Sequence, residues 1–174
     1  FGLETAVPEI LKLIQKDVAL ESYVAANRIN NRLGIETINS VMLGLPGDTR
    51  ETIKQTVDFL CRARDIHHTT YGIAIPYPGT ELYRMAENGL HGLKLIERDF
   101  SKYQRYASAV MEVNGILPDE LTRLQREGLR RIYSCWWRIL PLIRRLGILA
   151  LIPPAWDILR SGVASGFKAL RPDS

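Results

Sequence analysis

The chain has 174 residues, of which 46% are hydrophobic and 24% are charged, and its formal net charge is +4. This length allows one domain with a real core, and the composition excludes a disordered or low-complexity protein. The charge-free run 146–156 contains two prolines and is too short to cross a bilayer, although it could lie on one. Cys61 and Cys135 lie far apart, each in a helical pattern, so we expect buried thiols in a reducing cytoplasm.

The first third of the chain predicts a strand, two helices and a second strand. Residues 1–4 have the pattern of a buried strand end, and because the chain starts inside this segment we expect a piece of a longer protein. Helices are predicted over 8–15 and 20–32, with Gly34 as a C-terminal cap. The β-branched, apolar run 35–43 is typical of a parallel strand.

The next segment predicts a helix, a strand and a short helix. The sequence DTRE at 48–51 indicates a capping box, in which Asp48 accepts a backbone N–H three residues on and Glu51 reaches back. Apolar residues at helical spacing follow. A strand is then predicted over 69–75, and Thr80 caps a short helix that ends near Gly89.

This order of elements predicts an α/β fold with parallel strands, either a doubly wound sheet or part of a (β/α) barrel. Three strands do not close a barrel, so residues 1–90 are interpreted as half of one. Residues 91–117 form a connecting segment with a strand within 106–113. Residues 118–174 form a helical C-terminal extension, whose long helix runs from Pro118 to about Leu140 and is kinked or ended by Pro141.

Three strands end in short stretches that are rich in glycine, proline or acid: GLET at 2–5, MLGLPGDT at 42–49 and IPYPGT at 75–80. Ligands bind at this edge of parallel sheets. Gly44 and Gly47 are expected to let the backbone approach a ligand, and Glu4 suits sugar hydroxyls or an ammonium group. No phosphate-binding loop or dinucleotide fingerprint is present. The edge therefore favours a ligand with aromatic, sugar and amine groups.

These stretches, read in order as FGLET, VMLGLPGDTRETIKQTVDFL and GIAIPYPGTELY, resemble the second half of the barrel in radical S-adenosylmethionine enzymes. They are most similar to the branch that often carries a cobalamin-binding domain and includes the anaerobic magnesium-protoporphyrin monomethyl ester cyclase. The resemblance covers residues 1–90 in motif detail and, less specifically, the helical region from Pro118. It implies an enzyme that reductively cleaves S-adenosylmethionine to methylate, cyclise or rearrange an organic substrate.

The resemblance also implies which residues hold S-adenosylmethionine. Glu4 and Thr5 match a Gly-x-Glu-Ser-like motif that faces the ribose or amine, with Thr5 keeping the hydroxyl. Other positions match the family's adenine-binding residues: Met42, Gly44 and Pro46 after the second strand, and Ile75, Pro76 and Tyr77 after the third. Ser40 departs from the pattern, because the family has glycine there.

Catalytic and metal-binding residues are not among these positions. The family's CxxxCxxC loop, which holds a [4Fe–4S] cluster, does not occur in the sequence and is expected upstream, with cobalamin as a further upstream cofactor of the branch. The chain by itself should be inactive. Its expected partners are the upstream half of the same chain, a flavodoxin or ferredoxin as electron donor, and a small-molecule substrate such as a lipid-like compound or a tetrapyrrole; nucleic acid is not expected. The expected location is the cytoplasm, with or without contact at the inner membrane.

Two other interpretations stay open. The chain could be a non-catalytic α/β binding or scaffold module in which the strand-end loops are merely tight turns. Alternatively, a basic and aromatic surface near the C-terminus, including Trp136 and Trp137, could dock on a membrane or partner. Seven arginines and one acid, Glu127, lie between residues 122 and 147, which also fits a solvated helix face: Arg123, Arg126, Arg130, Arg131, Arg138, Arg144 and Arg145.

Overall fold

A computed structural model describes residues 1–106 and 108–146. These residues belong to two compact units, one spanning Phe1–Ile132 and one beginning at Tyr133. Most of the apolar run 146–156 and the rest of the predicted extension lie outside the described residues. Among the described helices, none has the length and apolar character needed to cross a membrane.

The first unit is built on three parallel strands in the order β1-β2-β3, which confirms the predicted α/β class; no closed barrel is formed by the described residues. The strands are β1 (Gly2–Glu4), β2 (Ile38–Leu43) and β3 (His68–Ile73). The helices that join them are α1 (Pro8–Leu13), α2 (Leu20–Arg32) and α3 (Arg50–Arg62). A short helix, α4 (Glu81–Glu87), follows β3 and is capped by the Thr80 hydroxyl as predicted.

One face of this sheet is covered by helices. Alternate residues of β2 are buried, and Val41 and Leu43 join Leu3 of β1 and Tyr71 of β3 in one apolar cluster. All four are at most 1% exposed. Because successive side chains of a strand point to opposite faces, the residues between them must lie on the other side.

Helix α2 is tied to this covered face by a buried pair of amides. The Asn27 side chain donates to Asn39 Oδ1 at 3.0 Å, and Asn39 donates back to Asn27 Oδ1 at 2.8 Å. Both residues are fully buried, and Asn27 also donates to the Tyr23 carbonyl. The reciprocal pair therefore fixes the position of the helix along the strand.

We predict that Asn27→Ala lowers the free energy of unfolding by about 1–3 kcal/mol, because the buried Asn39 amide would lose its partner. Asn30→Ala is the matched control, since Asn30 donates only to the Ala26 carbonyl of its own helix. Urea denaturation of both variants measures the difference. Equal losses in the two variants would contradict the structural role given to the pair.

The second half of this unit departs from prediction. A two-stranded antiparallel sheet pairs β4 (Leu93–Leu95), which the sequence patterns missed, with β5 (Met111–Val113), which lies inside the strand predicted over 106–113. Short 3-10 turns cover Leu90–Gly92 and Phe100–Lys102. A three-residue strand is too short for alternation to be recognised, which explains why β4 was missed.

The predicted long helix is two helices, so its continuation to Leu140 is wrong. Helix α5 (Pro118–Tyr133) carries Asp119 and Glu120 in its first turn and ends before Ser134. Helix α6 (Trp136–Leu146) then starts afresh, with the Cys135 carbonyl accepting N–H groups from the first turn. Pro141 lies inside α6 and does not end it. Neither glycine nor proline marks the break at 134–135, so helical propensity could not reveal it.

Candidate functional site

The opposite face of the parallel sheet carries small and polar residues. In the strand register Gly2 lies beside Ser40 and Ser40 beside Thr70, while Met42 lies beside Gly72. The Thr70 hydroxyl donates to Ser40 Oγ at 3.2 Å, which confirms that the two side chains share this side. We call this surface the open face; it consists of Gly2, Glu4, Ser40, Met42, Thr70 and Gly72.

Glu4 stands at the end of β1 in an unusual backbone conformation. Its φ is +64°, in the left-handed region, and the pairing of β1 with β2 shifts between Gly2 and Glu4. Its carboxylate forms a 2.9 Å ion pair with Lys16. A Cβ on Gly2 would lie 2.5 Å from Glu4 Oε1 and 2.8 Å from Lys16 Nζ, so the pair covers the bare strand. Backbone strain of this kind concentrates at functional sites.

Thr5, the next residue, faces the other way. It is 1% exposed, and its hydroxyl lies 3.0 Å from the Thr56 hydroxyl of α3. It also accepts the Val7 N–H at 3.3 Å, which fixes the turn after β1. The predicted contact between Thr5 and a ligand stays a prediction, and this arrangement does not favour it.

The glycines after β2 serve the turn itself. Gly44 and Gly47 have φ of +79° and +82°, which non-glycine residues rarely adopt. A Cβ on Gly44 would approach Leu121 of α5 at 3.7 Å, and one on Gly47 would approach Leu13 at 3.2 Å. A Cβ at either position would therefore face protein rather than open space, and the predicted approach of a ligand to the backbone of these glycines stays a prediction.

Asp48 is the buried polar centre of this turn. Its carboxylate accepts the Leu45 N–H at 2.9 Å and the Thr52 hydroxyl at 2.8 Å. Asp48 is 2% exposed, and burial raises its pKa to about 6 despite these hydrogen bonds. The predicted capping box was misplaced by one residue: α3 is capped by Thr49, which exchanges hydrogen bonds with Thr52.

We predict that stability depends on pH through Asp48. Because the pKa is raised from 3.8 in the unfolded chain to about 6, the folded state binds the proton more tightly, and stability falls as pH rises through this range. The wild type loses this stability as pH rises, and the variant does not. The free energy of unfolding of Asp48→Asn minus that of the wild type should therefore rise by about 2–3 kcal/mol from pH 4 to pH 7. Urea denaturation at both pH values tests this, with Asp17→Asn as the exposed control. A difference that does not change with pH would contradict it.

The end of β3 lies beside the turn after β2, because the Ala74 N–H donates to the Leu43 carbonyl at 2.9 Å. Ile75 is buried with Tyr103 and Val110, and Pro76 is also buried. Tyr77 is 52% exposed, and its ring centroid lies 6.3 Å from that of Tyr103.

Of the predicted site residues, Glu4, Met42 and Tyr77 present accessible side chains. The other five are buried by the chain and could offer backbone atoms only: Thr5, Gly44, Pro46, Ile75 and Pro76.

Sequence reasoning missed three polar residues of this region: Lys16, Thr70 and Arg105. The alternation of polar or small residues with buried ones in TTYGI was a usable signal for Thr70. Lys16 and Arg105 lie in irregular segments, where no periodicity points to a face. In the part of the chain that the structure describes, no group of three His, Cys, Asp or Glu side chains could hold a metal ion.

No family model matches the chain. It is 30% identical over 134 residues to an uncharacterized methyltransferase of Pyrococcus horikoshii. This alignment covers 76% of the present chain and 28% of the methyltransferase. It is also 27% identical over 135 residues to the heme chaperone HemW of Bacillus subtilis, in an alignment that covers 74% of the present chain and 34% of HemW. The chain thus spans about a third or less of the curated relatives it matches.

A solved structure, the archaeal Elp3 of Methanocaldococcus infernus with an N-terminal deletion, has a TM-score of 0.45 and 26% identity. It covers 51% of this chain and 21% of the other. All three relatives are members of the radical S-adenosylmethionine superfamily. The two sequence relatives carry this relationship, since the TM-score is too low to argue from. None of them bears on the cobalamin branch or on the cyclase-like subtype.

Proposed function

We propose that this chain is the C-terminal half of the barrel of a radical S-adenosylmethionine enzyme, and that its open face binds S-adenosylmethionine. The observation that carries the proposal is a parallel sheet whose open face is small and polar, with the Glu4–Lys16 pair at its edge. In this proposal residues 1–90 are the half-barrel, 91–117 the connection and 118–174 a helical extension. The cobalamin-binding, cyclase-like branch is the subtype that the motifs favour.

S-adenosylmethionine, together with a [4Fe–4S] cluster as the source of the electron, would supply the reactive carbon with which such an enzyme modifies an unactivated substrate. The described residues do not fit the cluster, because they contain no suitable ligand group. Cysteines upstream would hold it, and cobalamin would belong to a separate upstream domain. A flavodoxin or ferredoxin would supply the electron.

The accessible residues of the open face suit the parts of S-adenosylmethionine. Glu4 would accept hydrogen bonds from the amine or the ribose hydroxyls, with Lys16 holding the carboxylate in place through its 2.9 Å hydrogen bond. Met42 is half-buried and offers a polarisable side chain to the adenine. Tyr77 could close the edge beside it. Backbone atoms of Gly44, Pro46, Ile75 and Pro76 would complete the pocket.

The substrate class in this proposal is an organic small molecule, lipid-like or a tetrapyrrole, handled in the cytoplasm or at the inner membrane surface. In the second unit, the Arg138 guanidinium lies 4.6 Å from the Trp137 ring and 5.5 Å from the Tyr133 ring. Trp136 is 61% exposed. Such a basic and aromatic surface supports peripheral contact with an anionic bilayer.

We predict that Glu4→Gln weakens S-adenosylmethionine binding by the full-length protein about tenfold or more, because a charged hydrogen bond to the amine or ribose is lost. Isothermal titration calorimetry under anaerobic conditions measures the dissociation constant. Glu9→Gln, at an exposed position on α1, is the matched control and should bind as wild type does.

An unchanged affinity in Glu4→Gln would remove Glu4 from the site. A wild-type protein that does not bind S-adenosylmethionine at all would contradict the proposed function and favour the non-catalytic binding module.

A further inference from the structure

The side chain of Arg105 lies over the open face, in a place that only glycine leaves free. A Cβ built on Gly72 would be 2.6 Å from Arg105 Nε, 2.9 Å from its Cγ and 3.2 Å from its Cδ. Gly72 pairs with Met42 on the neighbouring strand, so the arginine lies over β3 at the level of the predicted adenine contact. The glycine is explained by this close approach, because its φ lies outside the left-handed region.

The backbone of Arg105 is anchored to the edge of β3. The Ile73 N–H donates to the Arg105 carbonyl at 2.9 Å. The side chain of Gln125, fully buried on α5, donates to the same carbonyl at 3.3 Å and to the Tyr71 carbonyl at 2.9 Å. One amide thus holds the strand and the arginine segment together.

The guanidinium has no anionic partner among the described residues. Its Nε is buried without a hydrogen-bond acceptor, and Arg105 takes part in none of the ion pairs that these residues form. Tyr106 lies 5.8 Å from Cζ and offers only its ring. A half-buried cation without an anion is costly, and a ligand with a negative charge would remove that cost.

Glu4, the acidic residue of the open face, already forms an ion pair. Glu4 is paired with Lys16 at β1, and β1 is two strands from β3, about 10 Å at the usual strand spacing. The face therefore presents a carboxylate–ammonium pair on one side and an unpaired guanidinium on the other. A ligand that spans both would place hydroxyl or amine groups near Glu4 and an anionic group near Arg105.

We propose that Arg105 binds a carboxylate of the ligand that occupies the open face. A guanidinium presents its donors in a planar fork that matches a carboxylate in two hydrogen bonds. The inference rests on the proposed function for the location of the ligand. The carboxylate has two sources, the amino-acid end of S-adenosylmethionine or an acid group of the substrate.

The test is calorimetric titration of the full-length protein with S-adenosylmethionine and with its decarboxylated analogue. If the cofactor supplies the carboxylate, Arg105→Gln should weaken binding of S-adenosylmethionine at least tenfold, and Arg105→Lys should lose less. Gly72→Ala should reproduce the defect without changing any charge, because the new methyl displaces the arginine. Arg32→Gln, at an exposed arginine on α2, is the control. If the cofactor supplies the carboxylate, Arg105→Gln should bind the decarboxylated analogue as wild type does.

A second titration, with succinate in the presence and absence of S-adenosylmethionine, tests the other source. Succinate binding that is lost in Arg105→Gln and Gly72→Ala, with normal S-adenosylmethionine affinity, assigns the carboxylate to the substrate. Variants that match wild type for both ligands overturn the inference. If Glu4→Gln binds S-adenosylmethionine poorly while the Arg105 variants bind normally, the proposed function stands and only the role of Arg105 is rejected. If the wild-type protein does not bind S-adenosylmethionine, the proposed function is rejected. The succinate titration then still decides whether Arg105 binds a carboxylate.

Discussion

The buried carboxylate of Asp48 is the interaction on which the rest of the first unit depends. It closes the turn between β2 and α3 by accepting the Leu45 N–H and the Thr52 hydroxyl. The same turn is bound from outside, because Asn114 donates to the Asp48 carbonyl at 2.8 Å and the Gly47 N–H donates to the His91 carbonyl at 3.0 Å. A sharp turn of glycine and proline would otherwise leave buried polar groups unpaired, which is costly. The turn therefore joins the parallel sheet to the later hairpin.

The two faces of the parallel sheet differ in what packs against them. On the covered face, Tyr71 packs closely against Gly128 of α5. A Cβ on Gly128 would lie 2.6 Å from the Tyr71 ring. On the open face, Gly72 gives the same close approach to Arg105. Helices in a doubly wound sheet cover both faces, whereas a barrel turns one face inward. An open face that is small, polar and half-buried is what half a barrel requires, and this supports the proposed architecture.

Sequence reasoning predicted the parallel α/β half well because its signals are local. Apolar runs, the hydroxyl of Thr80 and the glycine–proline turns each act within a few residues. The short β4 has too few residues to show alternation, the break before α6 is marked by neither glycine nor proline, and α3 offers two adjacent residues, Asp48 and Thr49, that could each cap it. The site depends on long-range contacts: the pattern could place Glu4 at a strand end, but the ion pair with Lys16 and the position of Arg105 come from irregular segments folded back onto the sheet.

The most direct measurement is a crystal structure of the full-length protein soaked or co-crystallised with S-adenosylmethionine under anaerobic conditions. We predict the ligand on the open face, with its amine or ribose near Glu4, its adenine near Met42 and the β2–β3 strand ends, and Arg105 paired with a carboxylate. S-adenosylmethionine bound elsewhere, or an open face covered by further protein side chains in its place, would contradict it.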